Sequence, residues 1–314
     1  MSELREQTYT PDEVAKILKI SKHTVYELVK RGDLTAFRVG NKMRIDAHDL
    51  AIYKQNMRYI SQSASKNRLT MKVDQGSPSS LRIAGSHDFL IEHLTHFRDT
   101  TPSSYLLHTT YIGSLDGLMM LYQGKTDIAA MHLLDPVTKE YNLPYVQRFF
   151  IQEPITVLKL AVRKQGLIVA QNNPKNICFW EDLARKDVIF VNRQKGSGTR
   201  FLLDSELAKR RIRPQHIRGY EQEVWNHLDA AACVARGSAD VALGIEAAAK
   251  KLNLSFIPLK TESFDLIFRW TKDNSKGLTS FCELLQSDRF KNSLQHLDGY
   301  DFSQLGHTIY QANV

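Results

Sequence analysis

The chain has 314 residues, of which 42% are hydrophobic and 24% are charged, as in a globular protein with two or three folding units. The sequence has no run approaching the ~20 apolar residues of a membrane span, and its polar start, MSELREQTYT, excludes a secretory signal. Three widely spaced cysteines exclude a disulfide framework and a zinc pattern. We therefore expect a cytoplasmic protein that does not enter the membrane.

The net charge of +8 is unevenly distributed along the chain. The first 72 residues hold 14 Lys and Arg against 8 Asp and Glu, whereas the other 242 hold 28 against 26. A small basic unit joined to a large, nearly neutral one indicates nucleic-acid binding at the amino end.

Two short helices joined by a tight turn are predicted near the amino end. Thr10-Pro-Asp-Glu13 has the residues of a capped helix start, and Ser21 is the predicted cap of the second helix. Such a helix-turn-helix places the start of its second helix in the major groove of DNA. The side chains predicted to face DNA there are those of Ser21, Lys22, His23, Thr24 and Tyr26.

A β-hairpin is predicted next, because residues 34–45 alternate apolar and polar side chains around Gly40-Asn41. Arg38, Lys42 and Arg44 would form a basic wing that contacts phosphates. A closing helix is predicted from Ala47 to about Arg58. We expect a DNA-binding domain over residues 1–60.

Residues 61–80 are rich in Ser, Lys and Asn, so we predict a linker there. Strands and helices alternate over residues 81–314, which predicts an α/β domain with a parallel sheet and helices on both faces. The predicted strands are 81–84, 105–111, 126–131, 152–163, 188–191, 239–245, 254–259 and 264–270. The predicted helices are 89–97, 118–122, one that opens at Thr199, 226–236 and a final helical region over 277–297.

Two lobes are predicted within this α/β domain. A helix, a glycine, an aspartate and an apolar strand follow one another twice, once with Asp127 and once with Asp240. This repeat indicates one copy of the unit in each lobe. The long apolar run 152–163 suits a crossing between them. Lobe one would comprise about 81–160 and 265–314, and lobe two about 161–264.

Three turns that follow predicted strands share one chemistry. They are Gly85-Ser86-His87, Gly113-Ser114 and Gly196-Ser-Gly-Thr-Arg200. Each places a hydroxyl and free backbone N–H groups at a helix start, where an anion is favoured. We expect all three to converge on one small anion. Ser86 and Ser114 are also plausible helix caps, and Arg200 has Asp204 as an alternative partner one helical turn later.

The first 57 residues closely resemble the excisionase-like and MerR-like winged helix-turn-helix domains. The residues that carry the resemblance are YTPDEVAKILKISKHTVYELVKRGDLTAFRVGNKMRID. This resemblance implies binding to double-stranded DNA. Two-fold operators read by such domains imply a homodimer.

Residues 81–300 resemble the type II periplasmic-binding-protein fold through IAGSHD, YIGSLDGL, DIAAMHLLD, FVNRQKGSGTR and AACVARGSADVALGI. The whole chain resembles cytoplasmic regulators that join an excisionase-like domain to a molybdate-binding-like domain. The resemblance implies a transcription factor without a cofactor, whose effector is molybdate or tungstate. Ser86 and Ser114 match the two oxyanion-binding serines of molybdate-binding proteins, and His132 falls in the HLLD pattern of the regulators.

The ligand-binding residues predicted in this way lie in the three turns and at the strand end that carries His132. They are Ser86, His87, Ser114, His132, Ser197, Gly198, Thr199 and Arg200. Molybdate-binding proteins usually bind through neutral groups, whereas His87, Arg193 and Arg200 would bring charge to this site. Phosphate, sulfate and an organic acid are therefore alternative ligands. An enzyme that acts on a phosphorylated small molecule is the less favoured alternative, because the turns contain no nucleophile–base pair, metal spacing or carboxylate dyad.

Overall fold

The computed structural model describes residues 8–18, 20–30, 34, 36–39, 42–47, 50, 79–100 and 105–312. The chain divides into two compact units, residues 1–76 and 77–314, and each has its own core. None of the described helices is long and apolar enough to cross a membrane.

The small unit contains the predicted pair of helices, α1 (Pro11–Leu18) and α2 (Lys22–Lys30). Thr10 and Glu13 bond reciprocally, with Thr10 N donating to Glu13 Oε2 at 2.7 Å and Glu13 N donating to Thr10 Oγ1 at 3.3 Å. The Ser21 hydroxyl accepts from Thr24 N at 3.1 Å and so caps α2. The apolar sides of the helices meet in a core of Val14, Ala15, Val25, Leu28, Leu34, Ile45 and Leu50.

A three-stranded antiparallel sheet completes the described part of this unit. It consists of β1 (Thr8–Tyr9), β2 (Phe37–Val39) and β3 (Lys42–Asp46) in the order β1-β3-β2. The hairpin prediction is confirmed, because Val39 pairs with Lys42 across the turn. β1 was not predicted, since two residues are too few to show an alternating pattern. The predicted closing helix and linker lie outside the described residues, except for helical Ala47 and Leu50 and for Ser79 and Ser80.

The large unit is built on a ten-stranded sheet. Its strands are β4 (Ser79–Gly85), β5 (Tyr105–Tyr111), β6 (Ile128–Met131), β7 (Ile155–Val169), β8 (Phe190–Arg193), β9 (Glu223–Val224), β10 (Val241–Ile245), β11 (Ser255–Arg269), β12 (Tyr300–Asp301) and β13 (Thr308–Ala312). The path through the sheet is β5-β4-β6-β11-β7-β10-β8-β9, while β12 and β13 pair with β7.

The sheet is mixed, so the prediction of a parallel sheet was wrong. Two parallel groups, β5-β4-β6 and β10-β8-β9, lie at its two ends. Between them run β7 and β11, which are antiparallel to each other and to their neighbours β10 and β6. The parallel groups come from strand–helix–strand units, whereas β7 and β11 carry the chain from one group to the other and back.

β11 is one strand of 15 residues, although two separate strands were predicted there. Pro258 and the polar run Lys260–Ser263 break the apolar pattern. The strand continues through them with register shifts between Pro258 and Lys260 and between Phe264 and Asp265. β7 is likewise longer than predicted and reaches Val169.

Helices flank the sheet and bury its apolar side chains in several clusters. They are α3 (Phe89–Asp99), α4 (Ser114–Tyr122), α5 (Leu143–Phe149), α6 (Gly198–Lys209), α7 (His227–Ala235), α8 (Glu246–Lys251), α9 (Ser275–Gln286) and α10 (Asp288–Ser293). Short 3-10 turns occupy Trp180–Ala184, Pro214–His216 and Leu294–His296. α3, α4 and α6 begin at the three turns that the sequence had singled out.

Candidate functional site

Two predicted serines meet where β4 ends and α4 begins. The hydroxyl oxygens of Ser86 and Ser114 are 2.6 Å apart, and both side chains are buried. Ser114 Oγ also accepts from the backbone N–H of His132, at 3.2 Å, just beyond the end of β6. Three strand ends are therefore brought together, as expected from the parallel pairing of β4 with β5 and β6.

The glycine-rich turn before α6 packs directly against these residues. Leu115 N donates to Gly196 O at 3.0 Å. A Cβ on Gly198 would lie 2.4 Å from His132 O, so only glycine permits this approach of the two backbones. The turn therefore packs against Leu115, the neighbour of Ser114, and against His132.

The hydroxyls of the turn are already engaged locally. Ser197 Oγ accepts from Arg200 N at 3.2 Å and donates to Gln194 O at 2.8 Å, which makes it the N-cap of α6. Thr199 Oγ1 accepts from Gln165 Nε2 of β7 at 2.8 Å. Thr199 is therefore held towards the crossing strand, and its own hydroxyl proton can serve a ligand.

Arg200 points to partners other than the paired serines. Its Nε bonds Asp204 at 3.1 Å, its Nη1 bonds Glu223 Oε1 at 2.8 Å, and its guanidinium stacks 4.3 Å from the ring centre of Tyr220. The alternative pairing with Asp204 is thus confirmed. Arg200 lines a separate cavity of about 700 Å³ beside α6, together with Leu115.

His87 stands beside the serine pair with one ring nitrogen engaged. Its Nε2 lies 2.8 Å from Glu92 Oε1, and its ring meets that of Tyr111 edge-on at 4.8 Å. Its Nδ1 is buried and has no hydrogen-bond partner among the described residues.

A chain of buried charges leads from His132 into the sheet. His132 Nδ1 lies 2.9 Å from Glu262 Oε2, and Arg163 Nε donates to Glu262 Oε1 at 2.6 Å. Arg163 also pairs with Asp88, the N-cap of α3. Burial lowers the pKa of His132 despite the opposing carboxylate of Glu262. Burial favours neutral Glu262, but the nearby His132 and Arg163 outweigh it and lower the pKa of this carboxyl.

Two further buried donors, Arg193 and His227, lie in the same region. Arg193 Nη2 donates to Trp225 O at 2.8 Å, while its Nη1 has no partner among the described residues. His227 is 1% exposed, neither of its ring nitrogens has a described partner, and its ring centre lies 6.3 Å from that of His132. Neither His227 nor Arg163 was in the predicted site, because each lies in an apolar stretch that resembles core.

The described part of the chain brings no three His, Cys, Asp or Glu side chains together in a group that could hold a metal ion. The polar region around Ser86 and Ser114 is instead rich in hydrogen-bond donors. Such a region suits a ligand that offers many acceptor oxygens.

The predicted DNA-contacting residues of α2 lie on the surface of the small unit. Thr24 and Tyr26 are exposed, and Lys22 Nζ makes an exposed ion pair with Asp12 of α1 at 2.7 Å. Arg44 lies on β3 opposite Phe37 of β2. The side chains of His23, Arg38 and Lys42 lie outside the part of the chain that the structure describes.

Known protein families match both units. A helix-turn-helix domain matches residues 8–58, and the PBP superfamily domain matches residues 94–286, more than half of the chain. The chain belongs to the PBP superfamily. The helix-turn-helix match precedes the PBP match along the chain. The chain therefore joins a domain of a DNA-binding type to a domain of a ligand-binding type.

Two relatives are similar in sequence. The uncharacterized protein YvgK of Bacillus subtilis is 41% identical over 97% of this chain and 98% of its own length. A protein encoded in the 5′ region of the 2Fe-2S ferredoxin gene of Clostridium pasteurianum is 36% identical over 34% of this chain and 96% of its own. The two-domain organisation is therefore shared along the full length with YvgK.

A solved structure supports the fold of the PBP superfamily. It is a substrate-binding protein from Clostridium perfringens, described as part of a phosphate ABC transporter and solved with bound phosphate. It matches with a TM-score of 0.50 at 15% identity, over 68% of this chain and 96% of its own. At that identity the likeness concerns the fold alone.

Proposed function

We propose that the protein is a ligand-responsive transcriptional regulator that acts as a homodimer. The helix-turn-helix unit, residues 1–60, would bind double-stranded DNA, and residues 61–80 would link it to the sensing domain, residues 81–314. That domain would bind a small oxyanion between its two lobes, with molybdate or tungstate as the preferred ligand. The proposal is supported by the joining of the two matched families in one chain.

The contact between Ser86 and Ser114 is the observation that carries the oxyanion proposal. Two buried hydroxyls only 2.6 Å apart can share one proton between them, and the second proton then needs another acceptor. An oxyanion oxygen supplies that acceptor. The N-terminus of α4, at Ser114, adds the partial positive charge of a helix start.

The turn before α6 gives ligand binding a structural consequence. The bond from Leu115 N to Gly196 O and the close approach of Gly198 to His132 join the proposed lobes. A ligand changes this arrangement only if it binds the closed and open states with different affinities. An oxyanion that contacts Ser114 on one side and Thr199 on the other would favour the closed state.

A regulator that senses phosphate, sulfate or a small organic acid is the alternative. The buried guanidinium groups of Arg163 and Arg193 favour it, because molybdate sites of the resembled family use neutral donors. An enzyme that acts on a phosphorylated metabolite is a further alternative, and turnover of such a metabolite by the full chain would support it.

Calorimetric titration with molybdate, tungstate, sulfate and phosphate in parallel tests the proposal. We expect molybdate and tungstate to bind most tightly, and Ser114→Ala to weaken binding by about tenfold, because one charge-assisted hydrogen bond is lost. Ser303→Ala, at an exposed serine, is the matched control. Binding of none of the four anions would refute the ligand assignment, and tighter binding of phosphate or sulfate would favour the alternative.

A further inference from the structure

Three buried cationic or basic side chains in the region around His132 have unsatisfied nitrogen atoms. Arg163, Arg193 and His227 are 2%, 3% and 1% exposed. Arg163 Nη2, Arg193 Nη1 and both ring nitrogens of His227 have no hydrogen-bond partner among the described residues. Leaving such a group unpaired in the interior is unfavourable, so several together indicate a site built for an acceptor-rich ligand.

Contacts connect these side chains to the serine pair. Ser114 Oγ accepts from His132 N, and His132 Nδ1 lies beside Glu262, which also accepts from Arg163. The ring of His227 lies 6.3 Å from that of His132 on the other side. His132 thus connects Arg163 and His227 to the serines, and Arg193, whose charge acts on His227, belongs to the same polar region.

The charges in this region are unevenly paired. Arg163 pairs with two carboxylates, those of Asp88 and Glu262. Among the described residues, Arg193 bonds only uncharged groups, the carbonyl of Trp225 and the side-chain oxygen of Gln194. Burial, and next the charge of Arg163, lower the pKa of Arg193 to about 9, so it still carries its charge at neutral pH.

His227 faces positive or basic groups from several elements. Arg193 comes from β8, Arg163 from β7, and His132 and His87 from the segments after β6 and β4, while Gly244 of β10 brings no charge. The acidic groups nearby are Glu262 of β11, bonded to His132, and Asp229 of α7, bonded to Asn226. Burial, and then the charges of Arg193 and Arg163, lower the pKa of His227 well below its ordinary value. His227 is therefore neutral at pH 7.

We propose that Arg163, Arg193 and His227 complete the ligand site, and that the ligand is a doubly charged oxyanion taken up together with one proton on His227. This inference rests on the proposed function, an oxyanion bound beside Ser86 and Ser114. The proton comes from the solvent and adds to a ring nitrogen, and no bond of the ligand is broken. Protonated His227 then adds one positive charge to that of Arg193 beside the doubly charged ligand.

Calorimetry with sodium molybdate in buffers of different ionisation enthalpy tests the inference on the full chain. The dependence of the binding heat on the buffer should show about one proton taken up per molybdate at pH 7.5. His227→Gln keeps an N–H donor but cannot be protonated, so it should take up none and bind about tenfold more weakly. His216→Gln, at an exposed histidine, is the matched control and should behave like the native chain.

The native chain provides a second measurement that does not depend on a variant. Its affinity for molybdate should rise by about tenfold for each unit by which the pH falls from 8.5 to 7, as uptake of one proton requires. Molybdate binding without proton uptake would overturn this inference and leave the proposed function intact. Unchanged proton uptake by His227→Gln would overturn the assignment to His227. Absence of binding by any oxyanion would instead refute the proposed function.

Discussion

Gly198 brings the turn before α6 into close contact with the segment after β6. It opens α6 against the carbonyl and ring of His132, where a Cβ would lie 2.4 Å from His132 O and 2.5 Å from Nδ1. The carbonyl belongs to the backbone, which cannot move aside without disturbing the end of β6. Alanine at this position must therefore displace the turn.

Gly198→Ala is expected to weaken binding of molybdate by about tenfold or more while the domain remains folded. The physical reason is that the displaced turn moves Thr199 away from Ser114. Titration calorimetry gives the affinity, and circular dichroism gives the fold. Ser205→Ala, farther along α6, serves as the control. Native affinity in Gly198→Ala would show that the contact with His132 is not needed for the ligand.

The sequence predicts individual site residues only where a local sequence pattern marks them. Ser86 and Ser114 stand out because each follows a glycine at a strand end. Glu262 lies 130 residues from its partner His132, and no local pattern marks that pairing. His227 begins an alanine-rich helix, so its burial beside Arg193 follows from tertiary packing alone.

The two described helices and the hairpin of the small unit follow closely from sequence. Thr10 and Glu13 form the predicted capping box, and the hairpin folds about the predicted turn. Elsewhere, prediction failed where an element departs from its local pattern. β11 passes through Pro258 with a shift of register, and β7 and β11 run antiparallel because they carry the chain between two parallel groups.

The exposed start of α2 gives a prediction about DNA. Lys22→Ala should lower severalfold the affinity for DNA from the region upstream of the protein's own gene. The salt dependence of this affinity should fall by about one counterion, because one phosphate contact is lost. The ion pair of Lys22 with Asp12 is exposed, so its loss should leave the unfolding free energy nearly unchanged. Gel retardation over a series of salt concentrations measures the effect.

Lys16→Ala removes the same charge from an exposed position of α1 and is the matched control. It should change the affinity for DNA much less than Lys22→Ala does. Equal losses in the two variants would show that total charge, rather than the start of α2, governs binding.

The whole molecule joins a DNA-binding type of domain to a ligand-binding type, and a regulator requires that the two act on each other. Such coupling is a free energy, commonly 1–3 kcal/mol, which corresponds to roughly 5- to 150-fold in affinity. It is reciprocal, so a ligand that alters DNA binding must itself be bound more or less tightly in the presence of DNA. The sequence predicts the two domains because each has its own motifs, but it does not indicate the sign of their coupling.

The most direct test of regulation is the affinity of the full chain for DNA from the region upstream of its own gene, with and without saturating molybdate, measured by fluorescence anisotropy. We expect a change of about tenfold or more in the native chain, whereas Ser114→Ala should need about tenfold more molybdate for the same change and should retain native DNA affinity without ligand. Equal DNA affinities with and without molybdate, in a protein that calorimetry shows to bind it, would contradict the claim that the sensing domain regulates DNA binding.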